Sequence, residues 1–263
     1  MEFTFEAYET ALKTALSRFE HILTAIAFVS ADAGALENRS VLILRHDCER
    51  DLRKALRMAE LEQRLGICAT YYIRVHSEYY NLMQAEERQL LRQIADMGHE
   101  VSLHYEPQFY HGEHQSLIEG IERDRAVLRD ILGPDAALTT MSPHQPTLRT
   151  PDFEALARSG IVDVYTHPRF KDLSYYSDSG MKWREKTLQQ AAETEVRCQF
   201  LIHPDFWNTV HTDWFTNLDQ RVEACIGALQ QTAAHEKEVC RNYLKNRAAH
   251  DAAFKSKVGA SRA

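Results

Sequence analysis

Short apolar runs alternate along this chain with longer amphipathic segments, and this alternation limits the folds open to it. VLILRH (41–46) is a continuous apolar run, and CATYYIRV (68–75) is aromatic and β-branched, as expected of strands buried on both faces. Similar strands are predicted at 99–104, 137–142 and 198–203. Because strands and helices alternate, a parallel sheet is predicted, either a closed barrel or an open doubly wound sheet.

The predicted helices lie between these strands. Apolar spacing indicates helices at about 51–65, 85–97 and 114–132, and each is followed by a glycine that can end it. Further strands are predicted at 162–167 and, more weakly, near 173–177.

The two ends of the chain are predicted to add helices to one domain that spans residues 1–263. Residues 1–30 are expected to form a single amphipathic helix over about 5–28, and residues 212–250 a second helix, both packed on the domain. The run ILTAIAFV (22–29) is too short to cross a bilayer and follows acidic residues. We therefore expect neither a membrane span nor a signal peptide.

Charge and cysteine usage narrow the class of protein. The formal net charge is −7 and the basic residues are scattered, so no nucleic-acid surface is expected. The five cysteines include no CxxC pair, which argues against a disulfide framework or a structural zinc site. Reduced thiols in a cytoplasmic protein are the expectation.

Acidic and imidazole side chains follow four of the predicted strands. They occur in HDCE (46–49), HYE (104–106), SPH (142–144) and HPD (203–205). Functional residues of parallel α/β folds lie just past the carboxyl ends of strands. Oxygen and nitrogen ligands gathered at that edge would suit a divalent metal such as zinc. Any one of these residues taken alone could instead cap a helix.

Three of the segments, taken in order, resemble the motifs of the polysaccharide deacetylases, the NodB-like carbohydrate esterases. They are VLILRHDCER (41–50), GHEVSLHYE (98–106) and QFLIHP (199–204), and the resemblance covers about residues 41–207. The first motif is similar to that of a divergent branch with His-Asp-x-Asp/Glu. The resemblance implies a deformed, TIM-like (β/α) barrel of about seven parallel strands with extra terminal helices.

The resemblance also implies roles for the residues that match the motifs. Asp47 corresponds to the catalytic base and His203 to the general acid. Glu49 and His104 correspond to metal ligands, with Cys48 standing where the usual motif has an aspartate.

The third metal ligand is left open by the resemblance, because the family's second histidine falls on Gln108. Glu106, His111 and His144 are the alternatives, and Glu106 is the predicted ligand. Substrate contacts are predicted for five residues: His144, Asp178, Trp183, Arg184 and Trp207.

The function implied is that of a metal-dependent hydrolase, with zinc the expected ion. It would remove an acetyl or other N-acyl group from an amino sugar or related carbohydrate, presented as a small molecule or oligosaccharide, in surface polysaccharide (lipopolysaccharide) biosynthesis. One alternative is a nucleotide-sugar glycosyltransferase, in which residues 47–49 would hold the metal, although no Gly-rich phosphate loop is present. The other is a catalytically degenerate carbohydrate-binding or scaffold protein, which Cys48 and Gln108 would favour.

Overall fold

One parallel sheet forms the centre of the computed structural model, which describes residues 1–110, 116–146 and 151–260, with side chains to residue 255. Every strand pairing in it is parallel. The strands are β1 (His21–Leu23), β2 (Val41–Cys48), β3 (Thr70–Ile73), β4 (Glu100–Tyr105), β5 (Thr140–Pro143), β6 (Val162–Asp163), β7 (Ser174–Ser177) and β8 (Arg197–Ile202).

The helices precede, connect and follow these strands. They are α1 (Phe5–Arg18), α2 (Ala25–Ser30), α3 (Leu52–Arg64), α4 (Ala85–Asp96), α5 (Leu117–Leu132), α6 (Phe153–Arg158), α7 (Leu188–Thr194), α8 (Trp214–Lys245) and α9 (Arg247–Ala260). The predicted ends of α3 and α4 are confirmed, since Gly66 and Gly98 follow them with φ of +73° and +90°. No described helix combines the length and apolarity needed to cross a membrane.

The strand order is that of a barrel opened at one seam. Along the sheet it runs β6-β5-β4-β3-β2-β8-β7, and β1 pairs with the start of β2. Strands that follow one another in the chain are thus neighbours from β2 to β6, and β8 returns to β2. The ends of the path approach each other, because the hydroxyl groups of Tyr165 and Tyr175 lie 3.4 Å apart. The predicted deformed (β/α) barrel with about seven parallel strands is confirmed.

Alternate residues of β2 face two different cores. Leu42 and Leu44 join the large core under the helices, whereas Ile43 joins a smaller core that includes Phe28 of α2. Arg45 and Asp47 continue the row of Ile43, because side chains alternate along a strand. The strand therefore carries charged residues on the face that is turned away from the large core.

The prediction of one helix over about residues 5–28 is wrong. After α1, Phe19 has extended backbone angles, and β1 then pairs with β2. Thr24 caps α2 by accepting a hydrogen bond from Ala27 N–H, so a new helix begins there. The apolar pattern could not show this break, because strand pairing with Val41–Ile43 decides it.

The strand predicted at 162–167 is shorter than expected. β6 ends at Asp163, whose Oδ1 accepts hydrogen bonds from the N–H groups of Tyr165 and Thr166. This side-chain-to-backbone turn ends the strand early.

The chain divides into two compact units, Met1–Asn217 and Leu218–Ala263. The first contains the sheet, and the described part of the second is helical. The predicted C-terminal helix is found as α8, followed by α9. A single domain with this helix packed on the barrel stays a prediction.

A buried polar cluster centred on Glu62 joins α1 and α3 to the sheet. The hydroxyl groups of Tyr8 and Tyr71 donate to its carboxylate, and His46 Nε2 lies 2.7 Å from Oε1. Burial alone would raise the pKa of Glu62, but the charge and hydrogen bond of His46 outweigh burial and lower it. His46 belongs to β2 and is the residue before Asp47, so this cluster contacts the strand that carries Asp47.

We expect Glu62→Ala to lower the free energy of unfolding by about 3 kcal/mol or more, because it leaves three buried polar groups without their acceptor. Denaturant unfolding of the purified variant measures this loss. Gln63→Ala is the control, since Gln63 is exposed on the same helix and its loss should cost less than about 0.5 kcal/mol. Equal stability of the two variants would contradict the proposed role of the cluster.

Candidate metal and active site

Three side chains from the carboxyl ends of β2, β4 and β5 bring potential metal donors together. His144 Nδ1 lies 3.2 Å from Glu49 Oε1 and 3.1 Å from His104 Nε2. Glu49 Oε1 and His104 Nε2 are 3.9 Å apart. Ligands that share a tetrahedral zinc ion at about 2.0–2.1 Å lie about 3.3 Å from one another. The chemistry and spacing of this donor set therefore fit a divalent transition metal.

The hydrogen bonds around His104 direct its lone pair toward the other donors. Its Nδ1 lies 3.0 Å from the carbonyl oxygen of Ser142, so Nδ1 carries the proton and Nε2 is free to bind a metal. Burial lowers the pKa of His144, and the neighbouring His104 lowers it further, which favours the neutral imidazole that metals bind. Burial would raise the pKa of Glu49, but the neighbouring imidazoles of His104, His144 and His203 bring it well below its usual range.

The structure brings together two of the three predicted metal ligands and separates the third. Glu106 does not join the donor group; its Oε1 accepts two hydrogen bonds from Arg74, at 2.9 and 2.7 Å. His144, predicted to contact substrate, stands in the third position instead. The sequence could not show that Arg74, at the end of β3, would take up the Glu106 carboxylate. His111, the other alternative, lies outside the described residues.

Asp47 is held beside the donor group by a buried cation. Its Oδ1 lies 3.4 Å from Arg45 Nη1, and its Oδ2 accepts a hydrogen bond from Ser142 Oγ at 3.0 Å. The same Arg45 Nη1 donates to Ser142 Oγ at 2.8 Å. Arg45 is fully buried with its guanidinium 4.5 Å from the ring centre of Tyr165. Arg45 and Ser142 therefore fix the positions of both Asp47 carboxylate oxygens beside the donor group.

His203 is held by Asp178 on the other side of Glu49. Its Nδ1 lies 2.6 Å from Asp178 Oδ1, and its Nε2 lies 3.9 Å from Glu49 Oε1. Burial opposes the charged imidazole, but the Asp178 carboxylate outweighs it and raises the pKa of His203 to about 9. Near neutral pH His203 is therefore a cation whose Nε2 proton points toward the donor group.

Three of the residues predicted to contact substrate pack together next to His203. Asp178 is buried between His203 and Trp207, whose Nε1 donates to Asp178 Oδ2 at 3.1 Å. The ring of Trp207 is fully buried and offers no face to a sugar. Trp183 stacks on Phe3 with 4.8 Å between the ring centres. The aromatic rings of both tryptophans suggested sugar contacts, but Trp207 is buried, whereas Trp183 is only partly buried and its sugar contact stays a prediction.

Arg184, predicted as a further substrate contact, is exposed, and its N–H donates to the carbonyl of Ser177. No side-chain contact ties it to Asp178, Trp183 or Trp207 in the part of the chain that the structure describes.

Sequence reasoning assigned no role to Arg45, Ser142 or Asp205, although Ser142 and Asp205 lie in two of the strand-end segments. A signal existed for Arg45, since it is the one charged residue in the otherwise apolar run 41–45. Asp205 accepts hydrogen bonds from the N–H groups of Glu49, Arg50 and Asp51, and burial raises its pKa to about 6. Nothing in its sequence context shows this contact, because the partners are more than 150 residues away.

We expect Asp178→Asn to bring the pKa of His203 in the metal-free protein from about 9 to below about 7, since burial then acts without the largest of the opposing charges. Titration followed by NMR of the imidazole resonances measures it. The signals of His235, exposed on α8, should be the same in both proteins. An unchanged His203 titration would show that Asp178 does not set its charge.

The raised pKa of His203 also predicts a pH-dependent stability. A group whose pKa is raised by folding stabilises the native state fully below its unfolded pKa of about 6.5. We expect this contribution to be lost as pH rises through about 9, and the loss to be absent in Asp178→Asn. Unfolding free energies measured between pH 6 and about 10 test this dependence.

Comparison with known proteins finds similarity at the level of solved structures. No protein-family model and no curated protein matches the sequence. A CE4 esterase from Streptococcus mutans is 15% identical with a TM-score of 0.47, over 72% of this chain and 82% of that one. The Bc1960 peptidoglycan N-acetylglucosamine deacetylase is 11% identical with a TM-score of 0.47, over 73% and 84%.

The CE4 family pseudoenzyme BA3943 from Bacillus anthracis is 13% identical with a TM-score of 0.41, and the match covers 74% of this chain. The chain spans less than two thirds of that protein's length. These structures include both enzymes and a pseudoenzyme of the family that the three motifs resemble.

Proposed function

We propose that this protein is a metal-dependent hydrolase that removes an acetyl or other N-acyl group from an amino sugar or related carbohydrate. The observation that carries the proposal is that a group of metal donors, a second carboxylate and an imidazole lie close together. Glu49 belongs to a three-donor metal group, while Asp47 Oδ2 lies 3.8 Å from His104 and His203 Nε2 lies 3.9 Å from Glu49. Amide hydrolysis needs a base, an acid and an electrophile in this proximity.

Glu49, His104 and His144 are the residues that would hold the metal, and zinc is the ion we propose. Three protein ligands with a remaining open position are typical of catalytic zinc sites. When bound, such an ion polarises the acyl carbonyl and lowers the pKa of water.

Asp47 is the proposed general base. Its carboxylate takes the proton of the water that forms the new bond to the acyl carbon. Arg45 and Ser142 orient the two carboxylate oxygens and compensate their charge, so no reorganisation is needed when the proton arrives.

His203 is the proposed general acid. Its Nε2 proton is transferred to the leaving nitrogen as the carbon–nitrogen bond breaks. Asp178 holds Nδ1 and stabilises the imidazolium before the transfer, a role that a buried carboxylate beside histidine has in other hydrolases.

The arrangement argues against a glycosyltransferase. In that alternative Asp47 and Glu49 would grip one ion together, yet Asp47 is bonded to Arg45 and Ser142 while Glu49 faces two histidines. The acid His203 with its partner Asp178 would also have no task in holding a nucleotide sugar.

The substrate and setting that we propose are a small amino sugar or oligosaccharide in the cytoplasm, within surface polysaccharide assembly. Cys48 and Cys198 are buried as thiols in the part of the chain that the structure describes, which supports a reducing compartment.

Metal analysis distinguishes the enzyme from a non-catalytic scaffold on the same fold. We expect the purified protein to retain about one equivalent of a divalent transition metal after reconstitution. His144→Ala should weaken metal affinity by more than about 100-fold, whereas Glu106→Gln should leave it within about tenfold. Competition with a chelator measures both affinities. Absence of metal from the reconstituted wild type would favour the scaffold, and the reverse order of the variants would restore Glu106 as the ligand.

The rate of acetate release tests the role of Asp47 as the proposed general base. We expect Asp47→Asn to lower acetate release from N-acetylated amino sugars by about 100-fold or more, because the amide accepts no proton. Metal content and circular dichroism should remain those of the wild type. Asp96→Asn, an exposed change on α4, is the matched control and should keep full activity. Retained activity in Asp47→Asn would remove the proposed mechanism.

A further inference from the structure

We propose that Asp205 is a positioning residue, which fixes the loop that carries Glu49 relative to His203 and thereby assembles the metal site. This inference rests on the function proposed for that site. Neither the motifs nor the donor group itself includes Asp205.

The Asp205 carboxylate accepts hydrogen bonds from three consecutive backbone N–H groups. Oδ2 accepts from Glu49 N–H at 3.2 Å and Oδ1 accepts from Asp51 N–H at 2.6 Å. The N–H of Arg50, between them, lies 3.0 and 3.2 Å from the two oxygens. Only 4% of Asp205 is exposed, so little water competes for these groups.

These N–H groups need such an acceptor because the loop lies between two regular elements. β2 ends at Cys48 and α3 begins at Leu52, with Asp51 as its N-cap. The first N–H groups of a helix and the residues before it have no partner within the helix. A carboxylate at this position gains from charge-assisted hydrogen bonds and from the positive end of the helix dipole.

The other end of the connection is the segment that carries the proposed acid. Asp205 lies two residues beyond His203, and Lys54 Nζ of α3 donates to the Asp205 carbonyl oxygen at 2.8 Å. Asp205 thus connects the segment after β8 to two neighbours by hydrogen bonds. Its side chain accepts from the loop after β2, and its backbone carbonyl accepts from α3. Glu49 and His203, whose Oε1 and Nε2 atoms lie 3.9 Å apart, are carried by the two segments that Asp205 connects.

A residue that merely caps α3 would affect stability alone. A positioning residue must act through Glu49, so its effect on the metal should vanish once Glu49 can no longer bind it. A double-mutant cycle between Asp205→Asn and Glu49→Gln separates the two cases. Asparagine keeps the size of the side chain and removes the charge and one acceptor oxygen.

Two measurements on the full-length chain test the inference. We expect Asp205→Asn to accelerate hydrogen exchange of the Arg50 and Asp51 amides by at least about tenfold. We expect it to weaken zinc affinity, measured against a chelator, by about 10–100-fold. In the Glu49→Gln background the same change should alter zinc affinity by less than about twofold.

The control is Asp213→Asn, because the Asp213 carboxylate accepts the N–H groups of Phe215 and Thr216 in a similar way at the start of α8. It should leave exchange at residues 49–51 and zinc affinity unchanged. Unchanged exchange in Asp205→Asn, or an equal loss of zinc affinity with and without Glu49, overturns the proposal. If the wild type binds no zinc, the proposed function fails, and the exchange rates alone then decide whether Asp205 holds the loop.

Discussion

Charge buried among the strand ends is the constraint on which the rest of this structure depends. An ionised carboxylate can stay inside a protein only if cations or N–H and O–H donors are fixed against it. Arg45 and Ser142 contact the Asp47 carboxylate, and His203 and Trp207 contact that of Asp178. The N–H groups of the 49–51 loop donate to the Asp205 carboxylate. Each arrangement ties together elements far apart in the chain, so satisfying the charges also sets the geometry of the site.

The same pairings divide the chemistry between neighbouring groups. Asp47 lies beside an arginine, whereas the Asp178 carboxylate raises the pKa of the His203 imidazole to about 9. Between them, the neighbouring histidine side chains lower the pKa of Glu49 well below its usual value, although burial opposes this. The proposed base, the proposed acid and the candidate metal donors thereby differ in charge although they lie within a few ångströms of one another. Strands of a parallel barrel make this possible because all their carboxyl ends meet at one edge.

Sequence reasoning succeeded where a property is local and failed where a partner decides it. The strand–helix alternation and the glycines after α3 and α4 depend on neighbouring residues, and both were predicted. The N-terminal segment was predicted as one helix because its apolar residues fit that period, but pairing with β2 turns residues 21–23 into a strand. The aromatic ring of Trp207 suggested a sugar contact, and only its packing on Asp178 in the folded protein shows that the ring is buried.

The sequence by itself determined the parallel α/β class and the edge of the sheet at which acidic and imidazole side chains collect. The order of apolar runs is enough for this, since chain direction and strand ends follow from it. The tertiary structure alone decided that His144 rather than Glu106 joins Glu49 and His104, and that Asp178 and Asp205 hold the acid and the loop. His144 and Glu106 both follow strands that end at the same edge of the sheet. What separates them is that Arg74 lies next to Glu106, and a contact between distant segments leaves no trace in either segment's own pattern.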